Sequence, residues 1–353
     1  MYSNINIDEL VQRLPEGYEQ ACFETKAIER VREIKTPLDL IRLVLIYLTG
    51  GHSQLEMSVI ALQLGIADIA DTAFLKKFAK CRSWLEWIIS KVIPKPIVEY
   101  TCPKWFKEYT ITAIDASDVT EKGRSKRIFR LHYAIDIMKM CCLSFKLTAQ
   151  KTGETLLNFN VQKGWLILAD RVYGTLTGIE HCLKSEANFI IRLRHGAFKL
   201  YDHDGVEINL LERLQGVTSD TVKSFDVYVK LSGGLTKVRI CATKIPNDKL
   251  EALEKSNKRK ASKKQRATSA EALLMTQYVV LITALPDTIP AAEITSLYRF
   301  RWQVEIYFKR LKSIIDFGNV PLRREDSIFT WLNGKLLVSI LIEQMIGEVS
   351  FFP

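Results

Sequence analysis

The sequence predicts an α/β protein in which a mixed sheet with helical cover follows an all-helical first part. Apolar residues recur every three or four positions up to about residue 100, which is the period of a helix. From about residue 108 they recur at every second position, which is the period of a strand. The segments that follow have strand and helix patterns, and their order is typical of a mixed sheet with helical cover. We therefore predict a helical domain over residues 1–100 and a sheet-containing domain after it.

Within the helical part, two segments have the spacing of a helix-turn-helix. The first begins at Ser53, a residue type that caps helices, and breaks at Gly65; the helical pattern resumes from Asp71. Two helices joined by a short turn with glycine occur in DNA-binding motifs and, more commonly, in plain helical hairpins. Spacing alone leaves both interpretations open. Pro94 and Pro96 mark the end of this part.

The first part of the predicted sheet covers residues 101–194. Three consecutive segments with alternating polarity are most simply antiparallel strands. A fourth apolar segment, a helical pattern and a fifth apolar segment complete the order β-β-β-β-α-β. The predicted segments are the strands 109–114, 129–137, 143–149 and 165–169, the helix 173–184 and the strand 188–193.

The remaining residues divide into a β-rich insertion, 195–276, and a second part of the sheet domain, 277–353, with C-terminal helices. Alternating segments on either side of Ser232-Gly233-Gly234 predict a β-hairpin in the insertion. A basic segment follows, Lys255 to Arg266, with seven Lys and Arg residues. Such a run is either a solvated loop or helix face, or an arm that contacts phosphates. A strand over 278–285 and helices over 291–315 and 331–346 complete the prediction.

The composition is that of a globular protein and excludes several other classes. Hydrophobic residues make up 47% and charged residues 25%, with only 17 Gly and 10 Pro, so the chain is neither collagenous nor of low complexity. Its longest apolar runs fall well short of the roughly 18 residues of a membrane span, and we expect no membrane partner. Seven cysteines without a C-x-x-C motif predict reduced core residues. With no secretory signal at the N-terminus, these features predict a cytoplasmic protein.

The charge balance favours a polyanionic partner. The chain carries 50 Lys and Arg against 40 Asp and Glu, a formal net charge of +10. It contains no P-loop and no dinucleotide-binding glycine motif, so we expect no nucleotide cofactor.

The helix predicted over 291–315 carries four polar groups at helical spacing. At about 100° per residue, these four side chains share an arc about 60° wide. A mixed-charge stripe on a surface helix would have the same pattern, since a glutamate four residues after an arginine is an ordinary ion pair. The four residues are Tyr298, Arg301, Glu305 and Lys312.

Two aspartates, Asp115 and Asp170, directly follow predicted apolar strands. Each could be a simple turn or cap residue. Functional groups also lie at strand ends in α/β sheets, and together with Glu305 these two residues would form a group of three carboxylates. Clustered carboxylates repel one another unless a cation binds, and hard oxygen ligands suit Mg²⁺ or Mn²⁺. Two such ions could activate a water or a 3′-hydroxyl for attack on a phosphodiester.

Three motifs in order resemble those of a known family. The segment YRFRWQVEIYFKRLK resembles the Y-R-E-K signature of the DDE transposases of bacterial insertion sequences, in the branch called the IS-four family. AIDAS around Asp115 and ILADRVYG around Asp170 resemble the first and second aspartate motifs of that family. The resemblance covers about residues 35 to 345. It implies a ribonuclease-H-like catalytic core, interrupted by a β-rich insertion, behind a helix-turn-helix-like DNA-binding domain.

The same resemblance implies roles for individual residues. Asp115, Asp170 and Glu305 would be the catalytic residues and would ligate two Mg²⁺ ions, for which Mn²⁺ can substitute. Tyr298, Arg301 and Lys312 would hold phosphates near the transposon end.

Three further residues are candidates for contact with DNA. Arg192 falls where relatives keep a DNA-contacting arginine, although a sheet-edge ion pair is the alternative. Relatives of this kind stack a flipped base on an aromatic side chain. Tyr278 and Trp302 are the candidates here, and ordinary core or helix packing is the alternative for both.

The resemblance therefore implies a DNA transposase that binds terminal inverted repeats as a homodimer and cuts and pastes the element into target DNA. A hairpin step, carried over from relatives, and association with the bacterial nucleoid are further expectations. Two alternatives remain. A truncated, non-catalytic DNA-binding regulator would fit a chain that stops at GEVSFFP soon after its last predicted helix. A host nuclease on the same core would not need an end-recognition domain.

Overall fold

A computed structural model describes residues 6–92, 103–121, 128–138, 141–248, 250, 269–314 and 319–349. Six α-helices and a short 3₁₀ helix, Lys104–Glu108, precede the sheet. The six helices are α1 (Ile7–Gln12), α2 (Tyr18–Glu24), α3 (Pro37–Gly50), α4 (Gln54–Gln63), α5 (Asp71–Lys80) and α6 (Arg82–Val92).

The segment with helix-turn-helix spacing has the local structure that the sequence predicts. The Ser53 hydroxyl accepts a hydrogen bond from the Glu56 amide, and the Glu56 carboxylate accepts one from the Ser53 amide, so α4 begins with a capping box. Gly65 adopts a left-handed backbone with φ of 67°, which costs little because glycine has no Cβ. The next helix begins at Asp71. The predicted cap, break and restart are therefore confirmed.

Among the described residues, one mixed sheet of eleven strands follows, in the order β3-β2-β1-β4-β5-β10-β9-β8-β6-β7, with β11 parallel to β1. The first three strands are antiparallel, whereas β4 is parallel to β1 and to β5, which confirms the predicted order. The strands of this first part are β1 (Thr110–Glu121), β2 (Ile128–Asp136), β3 (Cys141–Ala149), β4 (Trp165–Ala169) and β5 (Asn188–Arg192), with helix α7 (Leu176–Lys184) before β5.

Strand β1 is longer than the sequence predicts, because the predicted strand ended at residue 114. Only Thr110–Ala113 pair with β4, whereas β2 pairs with β1 as far as Thr120. Pairing with β2 therefore continues the strand past the end of its apolar run. As a result, Asp115 lies within β1, just beyond the last pair with β4, and not after the strand.

The predicted hairpin forms and extends the same sheet. Strand β10 pairs antiparallel with β5 on one side and with β9 on the other, so residues 195–276 contribute strands β6 to β9 to this sheet. The basic segment Lys255 to Arg266 lies outside the described residues. The elements here are β6 (Leu200–Tyr201), β7 (Glu207–Ile208), α8 (Leu210–Arg213), β8 (Lys223–Leu231), β9 (Gly234–Lys244), α9 (Ala270–Met275) and β10 (Tyr278–Thr283).

The single helix predicted over 291–315 is in fact two helices. A 3₁₀ turn, Arg299–Arg301, separates α10 (Ala291–Tyr298) from α11 (Trp302–Ile314). Because a 3₁₀ helix has three residues per turn, the angles expected for a continuous α-helix do not apply across this turn. The prediction of one uninterrupted helix was therefore wrong.

The last helix packs against the first ones. After β11 (Asn319–Val320), α12 (Glu325–Val349) lies against α3, α5 and α6. The Thr330 hydroxyl donates to the Ala79 carbonyl at 3.2 Å, and the Asn333 amide donates to Glu86 at 2.9 Å. One apolar cluster joins these helices to one face of the sheet, and a second cluster covers the other face. The domain boundaries near residues 100, 194 and 276 stay predictions.

The composition led to two further predictions, one about membrane-spanning helices and one about buried cysteines. Among the described residues, no helix is both long and apolar enough to cross a membrane. Five cysteines are buried and free, as the sequence predicts: Cys22, Cys81, Cys142, Cys182 and Cys241.

Gly334→Val is expected to lower the free energy of unfolding by about 1–3 kcal/mol, the usual cost of overpacking a core. Gly334 lies in α12, where a Cβ would clash with Leu48 Cδ1 in α3, and Leu48 is buried. Urea unfolding measures the loss. A double-mutant cycle with Leu48→Ala is the control: the double variant should lose less stability than the sum of the single losses, and strict additivity would contradict the proposed contact.

Candidate active site

Neighbouring strands and one helix bring the three candidate acids to one region. Asp115 lies just beyond the pairing of Ala113 in β1 with Leu168 in β4, and Asp170 directly follows β4. Glu305 lies in the first turn of α11, which packs against β1. All three side chains are partly buried. The sheet and α11 together therefore form a half-buried site with three carboxylates.

The charges of these acids act on one another. The pKa of Asp115 is raised to about 6, chiefly by burial; the nearby Asp170 and Glu305 carboxylates also raise it, while a hydrogen bond from the Ala116 amide and the charge of Arg301 oppose the shift. The pKa of Asp115 thus depends on the charges of both other acids, so the three side chains lie close enough to interact electrostatically.

Arg301 connects the helix residues of the signature. Its guanidinium donates to Glu305 Oε1 at 2.7 Å, and both side chains are mostly shielded from solvent. Burial raises the pKa of Tyr298 to about 12, although Arg301, through its charge and a hydrogen bond, and Arg192 oppose the increase. The structure therefore brings Tyr298, Arg301 and Glu305 together despite the 3₁₀ turn between them.

Arg192 ends β5 beside this group. Burial lowers the pKa of Arg192, with Arg171 and Arg301 adding to that effect, whereas Tyr298 and Asp170 oppose it. Within the described ranges, it has no carboxylate at ion-pair distance. The alternative of a sheet-edge ion pair therefore lacks a partner there.

The remaining candidates lie farther from the acids or on the surface. Lys312 is exposed near the end of α11. Trp302 is 48% exposed, with the Lys309 ammonium 5.2 Å from its ring centroid, so it is accessible to a ligand. Tyr278 begins β10 and packs on the apolar cluster opposite to the one that contains Tyr298.

Four polar residues near the acids were not identified from the sequence. Arg130 pairs with Asp118 at 2.9 Å and approaches Glu154 at 3.6 Å. The charges of Glu154 and Asp170 act on one another, and Tyr173 lies near both. The motif ILADRVYG contains Tyr173, but sequence alone gave no sign that its phenol would be buried beside carboxylates.

The three carboxylates suit a hard divalent cation, because such ions prefer oxygen ligands. The carboxylates are partly buried, and the neighbouring positive charges do not balance all of their negative charge. The acids are not gathered as tightly as in a closed metal site. Within the described part of the chain, only Asp202, His203 and Asp204 have ligand atoms within 4.8 Å of one another. Those three lie at the turn between β6 and β7, where Asp202 accepts hydrogen bonds from the Asp204 and Val206 amides.

A set of carboxylates can hold the divalent metal ions that many enzymes acting on phosphate esters use. The comparison with protein families is more specific. Residues 106–341 match the family described as "Transposase DDE domain", so the chain belongs to this family. The match begins in the 3₁₀ helix before β1 and ends within α12.

Transposases of insertion sequences resemble the chain over its whole length. It is 25% identical to the putative transposase InsL for insertion sequence element IS186A of Escherichia coli (strain K12), over 364 residues that cover 100% of the chain and 97% of the relative. The transposase for IS421 of Escherichia coli is also 25% identical, with the same coverage. The transposase for IS231F of Bacillus thuringiensis subsp. israelensis is 26% identical over 150 residues, 42% of the chain and 31% of that relative.

These comparisons confirm the resemblance to DDE transposases of insertion sequences. The chain is a DNA transposase, an enzyme that binds and acts on DNA, and membership of the family implies dependence on divalent metal. The mixed sheet with helices is consistent with a ribonuclease-H-like core.

Asp115→Asn is expected to stabilise the metal-free protein at pH 7 but not at pH 4. Folding raises the pKa of Asp115 from 3.8 to about 6, so the native state binds this proton more tightly than the unfolded chain does. The resulting stability is present below about pH 4 and is lost as the pH rises through about 6. Asparagine has no charge to lose. The advantage of the variant should therefore grow by up to about 3 kcal/mol across this window.

Urea unfolding in EDTA between pH 4 and pH 8 measures this difference. Asp220→Asn, at an exposed acid in the loop before β8, serves as the control. A difference between Asp115→Asn and wild type that stays constant over this pH range would contradict the assignment.

Proposed function

We propose that the chain binds the terminal inverted repeats of an insertion sequence as a homodimer and carries out cut-and-paste transposition with two Mg²⁺ ions. One observation carries this proposal: Asp115 on β1, Asp170 directly after the neighbouring strand β4 and Glu305 on α11, which packs against β1, lie in one region. Three acids from two adjacent strands and one helix form a suitable donor set, and a DNA transposase needs such a set for hydrolysis and strand transfer.

In this proposal, Asp115, Asp170 and Glu305 hold the ions. The bound metals would activate a water or a 3′-hydroxyl and stabilise the leaving oxygen. Arg301 holds the Glu305 carboxylate through their 2.7 Å ion pair and so fixes the orientation of this ligand on α11.

Positive groups beside the acids and farther along α11 would hold the DNA backbone. Arg301, Arg192 and Lys312 present guanidinium or ammonium groups on α11 and at the end of β5, and phosphates are their natural partners. Tyr298 adds a hydroxyl to this group. Trp302 is accessible enough to stack on an unpaired base, whereas Tyr278, on the opposite face, is the weaker candidate.

The N-terminal helices are the proposed end-recognition domain, with α4 and α5 as its helix-turn-helix-like pair. A groove of about 480 Å³ lies between the α2–α3 connection and α5. We define the basic groove by its five cations, Arg30, Arg32, Lys76, Lys77 and Lys80. Two acids, Glu29 and Glu33, also line it, and Lys80 pairs with Glu29 at 2.6 Å. The excess of positive charge suits the phosphates of a DNA duplex.

The deciding experiment is a cleavage assay on linear DNA that carries the element's own ends. Mg²⁺ and Mn²⁺ should support nicking at the ends and joining to target DNA, whereas EDTA should prevent both. Denaturing gels would also separate hairpin ends from simple nicks. Specific binding without cleavage in either metal would reject this proposal and support a non-catalytic regulator, an alternative that no feature of the described site favours.

A further inference from the structure

Helix α4 exposes a row of apolar side chains. Leu55, Val59 and Leu62 are 68%, 49% and 60% exposed, and at about 100° per residue they share an arc about 60° wide. The opposite side of the helix faces the core through the buried Met57 and Ala61. Single exposed apolar residues are common, but three in one row along a helix form a continuous apolar surface. We define the α4 stripe as Leu55, Val59 and Leu62.

The chemistry of α4 does not suit contact with DNA. The helix contains no Lys or Arg, and its one charged residue, Glu56, is held at the N-terminus by the capping box. Phosphates bind to cations, and the cations of this pair of helices lie on α5, as Lys76, Lys77 and Lys80. The α4 stripe therefore needs another apolar surface, because only such a surface removes it from water.

A second copy of this chain supplies a matching surface. Most soluble homo-oligomers have two-fold symmetry, in which one patch contacts the same patch of the partner. In an antiparallel pair of α4 helices, Val59 meets the partner's Val59. Leu55 then meets the partner's Leu62, because these two positions lie four residues before and three residues after Val59.

Charge also favours a second copy at this surface. Each chain has a formal net charge of +10, so two copies repel one another over much of their surfaces. Helix α4 carries a single charge, which lets two copies approach here at little electrostatic cost. Antiparallel packing also sets the two helix dipoles in opposite directions, which is the favourable arrangement.

We propose that two copies of the chain associate through antiparallel pairing of their α4 stripes. This inference rests on the homodimer of the proposed function and names the surface that joins the two copies. The stripe is small, since a stable interface buries about 800 Å² per partner and three side chains supply only part of that area. The dimer should therefore dissociate on dilution and become tighter when DNA holds two copies together.

A variant with three glutamines removes the apolar stripe without changing the net charge. It should raise the dissociation constant of the dimer by at least about 100-fold, because three apolar side chains per copy lose their contact. Sedimentation equilibrium without DNA measures this constant, and urea unfolding shows that the variant folds. The three changes are Leu55→Gln, Val59→Gln and Leu62→Gln.

A matched control makes the same kind of change at three exposed apolar residues outside the N-terminal helices. This control should dimerise like wild type, because a general loss of surface hydrophobicity is common to both variants. An equal loss of dimer in both variants would overturn the proposal. The control changes are Val206→Gln, Leu273→Gln and Leu274→Gln.

A pair of charges tests the antiparallel register in a way that misfolding cannot imitate. Leu55→Glu alone and Leu62→Lys alone each place a charge against a leucine and should weaken the dimer. The double variant places the new acid of one copy opposite the new amine of the other, so it should dimerise more tightly than either single variant. Within one chain the two positions are about 10 Å apart along the helix and do not pair with each other.

The mass of complexes with end DNA separates this inference from the proposed homodimer. The α4 contact is overturned if the glutamine variant dimerises as tightly as wild type, if the double charge variant is no tighter than the single ones, or if wild type stays monomeric without DNA at every concentration. In those cases, complexes that hold two copies would show a homodimer formed through another surface. Complexes that hold only one copy of wild type would refute the homodimer itself.

Discussion

Glu305→Gln should reduce metal-dependent cleavage of the element's ends by at least about 1,000-fold. A metal ion contributes several kcal/mol of transition-state stabilisation, and each 1.36 kcal/mol corresponds to a factor of ten in rate. Glutamine keeps the size of the side chain and an oxygen that can accept from Arg301, so the 2.7 Å contact between residues 301 and 305 can persist in neutral form. The variant therefore removes the negative charge and leaves the fold intact.

End binding should survive this change, which separates the chemical step from DNA recognition. A gel-shift assay with uncleaved ends gives affinity, and a denaturing gel of the same reactions gives cleavage. Glu325→Gln, at the exposed start of α12, removes the same charge away from the site and should cleave like wild type. Cleavage by Glu305→Gln at the wild-type rate would remove Glu305 from the set of metal ligands.

Local signals in the sequence predicted several structural features correctly, including one at the candidate site. Asp170 directly follows β4 as expected, because a short apolar run bounded by polar residues ends at Ala169. Ser53 and Gly65 were placed correctly for the same reason, since caps and left-handed glycines act on their own neighbours along the chain. At these three positions a few adjacent residues determine the conformation, and the prediction was accurate.

Structural features that depend on residues far away in the sequence could not be predicted from local patterns. The extension of β1 past Asp115 depends on pairing with β2, and the sequence of β1 alone does not specify it. Strand β10 enters the sheet between β5 and β9, which its own apolar pattern cannot show. Periodicity likewise gave no sign that Arg299–Arg301 would form a 3₁₀ turn or that α12 would pack on α3.

Within the candidate site, the positions of Tyr173 and Arg130 could not be predicted from local sequence patterns either. Arg130 lies on β2, which pairs with β1, and Tyr173 lies in the turn after β4. A tyrosine near an aspartate in sequence is common, and only burial of its unpaired hydroxyl distinguishes this one. The three acids were accessible to sequence analysis, whereas the groups that support them required the tertiary structure.

The second large effect concerns DNA binding at the basic groove. Arg30, Arg32 and Lys76 are exposed there, and the structure assigns them no ion pair within its described ranges. Each phosphate contact releases condensed counterions, so the logarithm of affinity falls with the logarithm of salt concentration by about 0.9 per contact. The combined variant Arg30→Ala, Arg32→Ala, Lys76→Ala should therefore bind the ends more weakly, with a salt slope shallower by about 2.7.

Between 50 and 200 mM salt, this difference means that wild type should lose about 40-fold more affinity than the triple variant. Fluorescence anisotropy of labelled end DNA measures both slopes. A matched control replaces three exposed lysines that already pair with acids, namely Lys163, Lys184 and Lys199. Both variants lose the same net charge, so a general electrostatic effect would flatten the two slopes equally. If the salt slope becomes shallower only in the groove variant, the DNA duplex binds at α5. If the groove variant and the control variant have equal slopes, the groove is not part of the DNA-binding surface, and the catalytic assignment is unaffected.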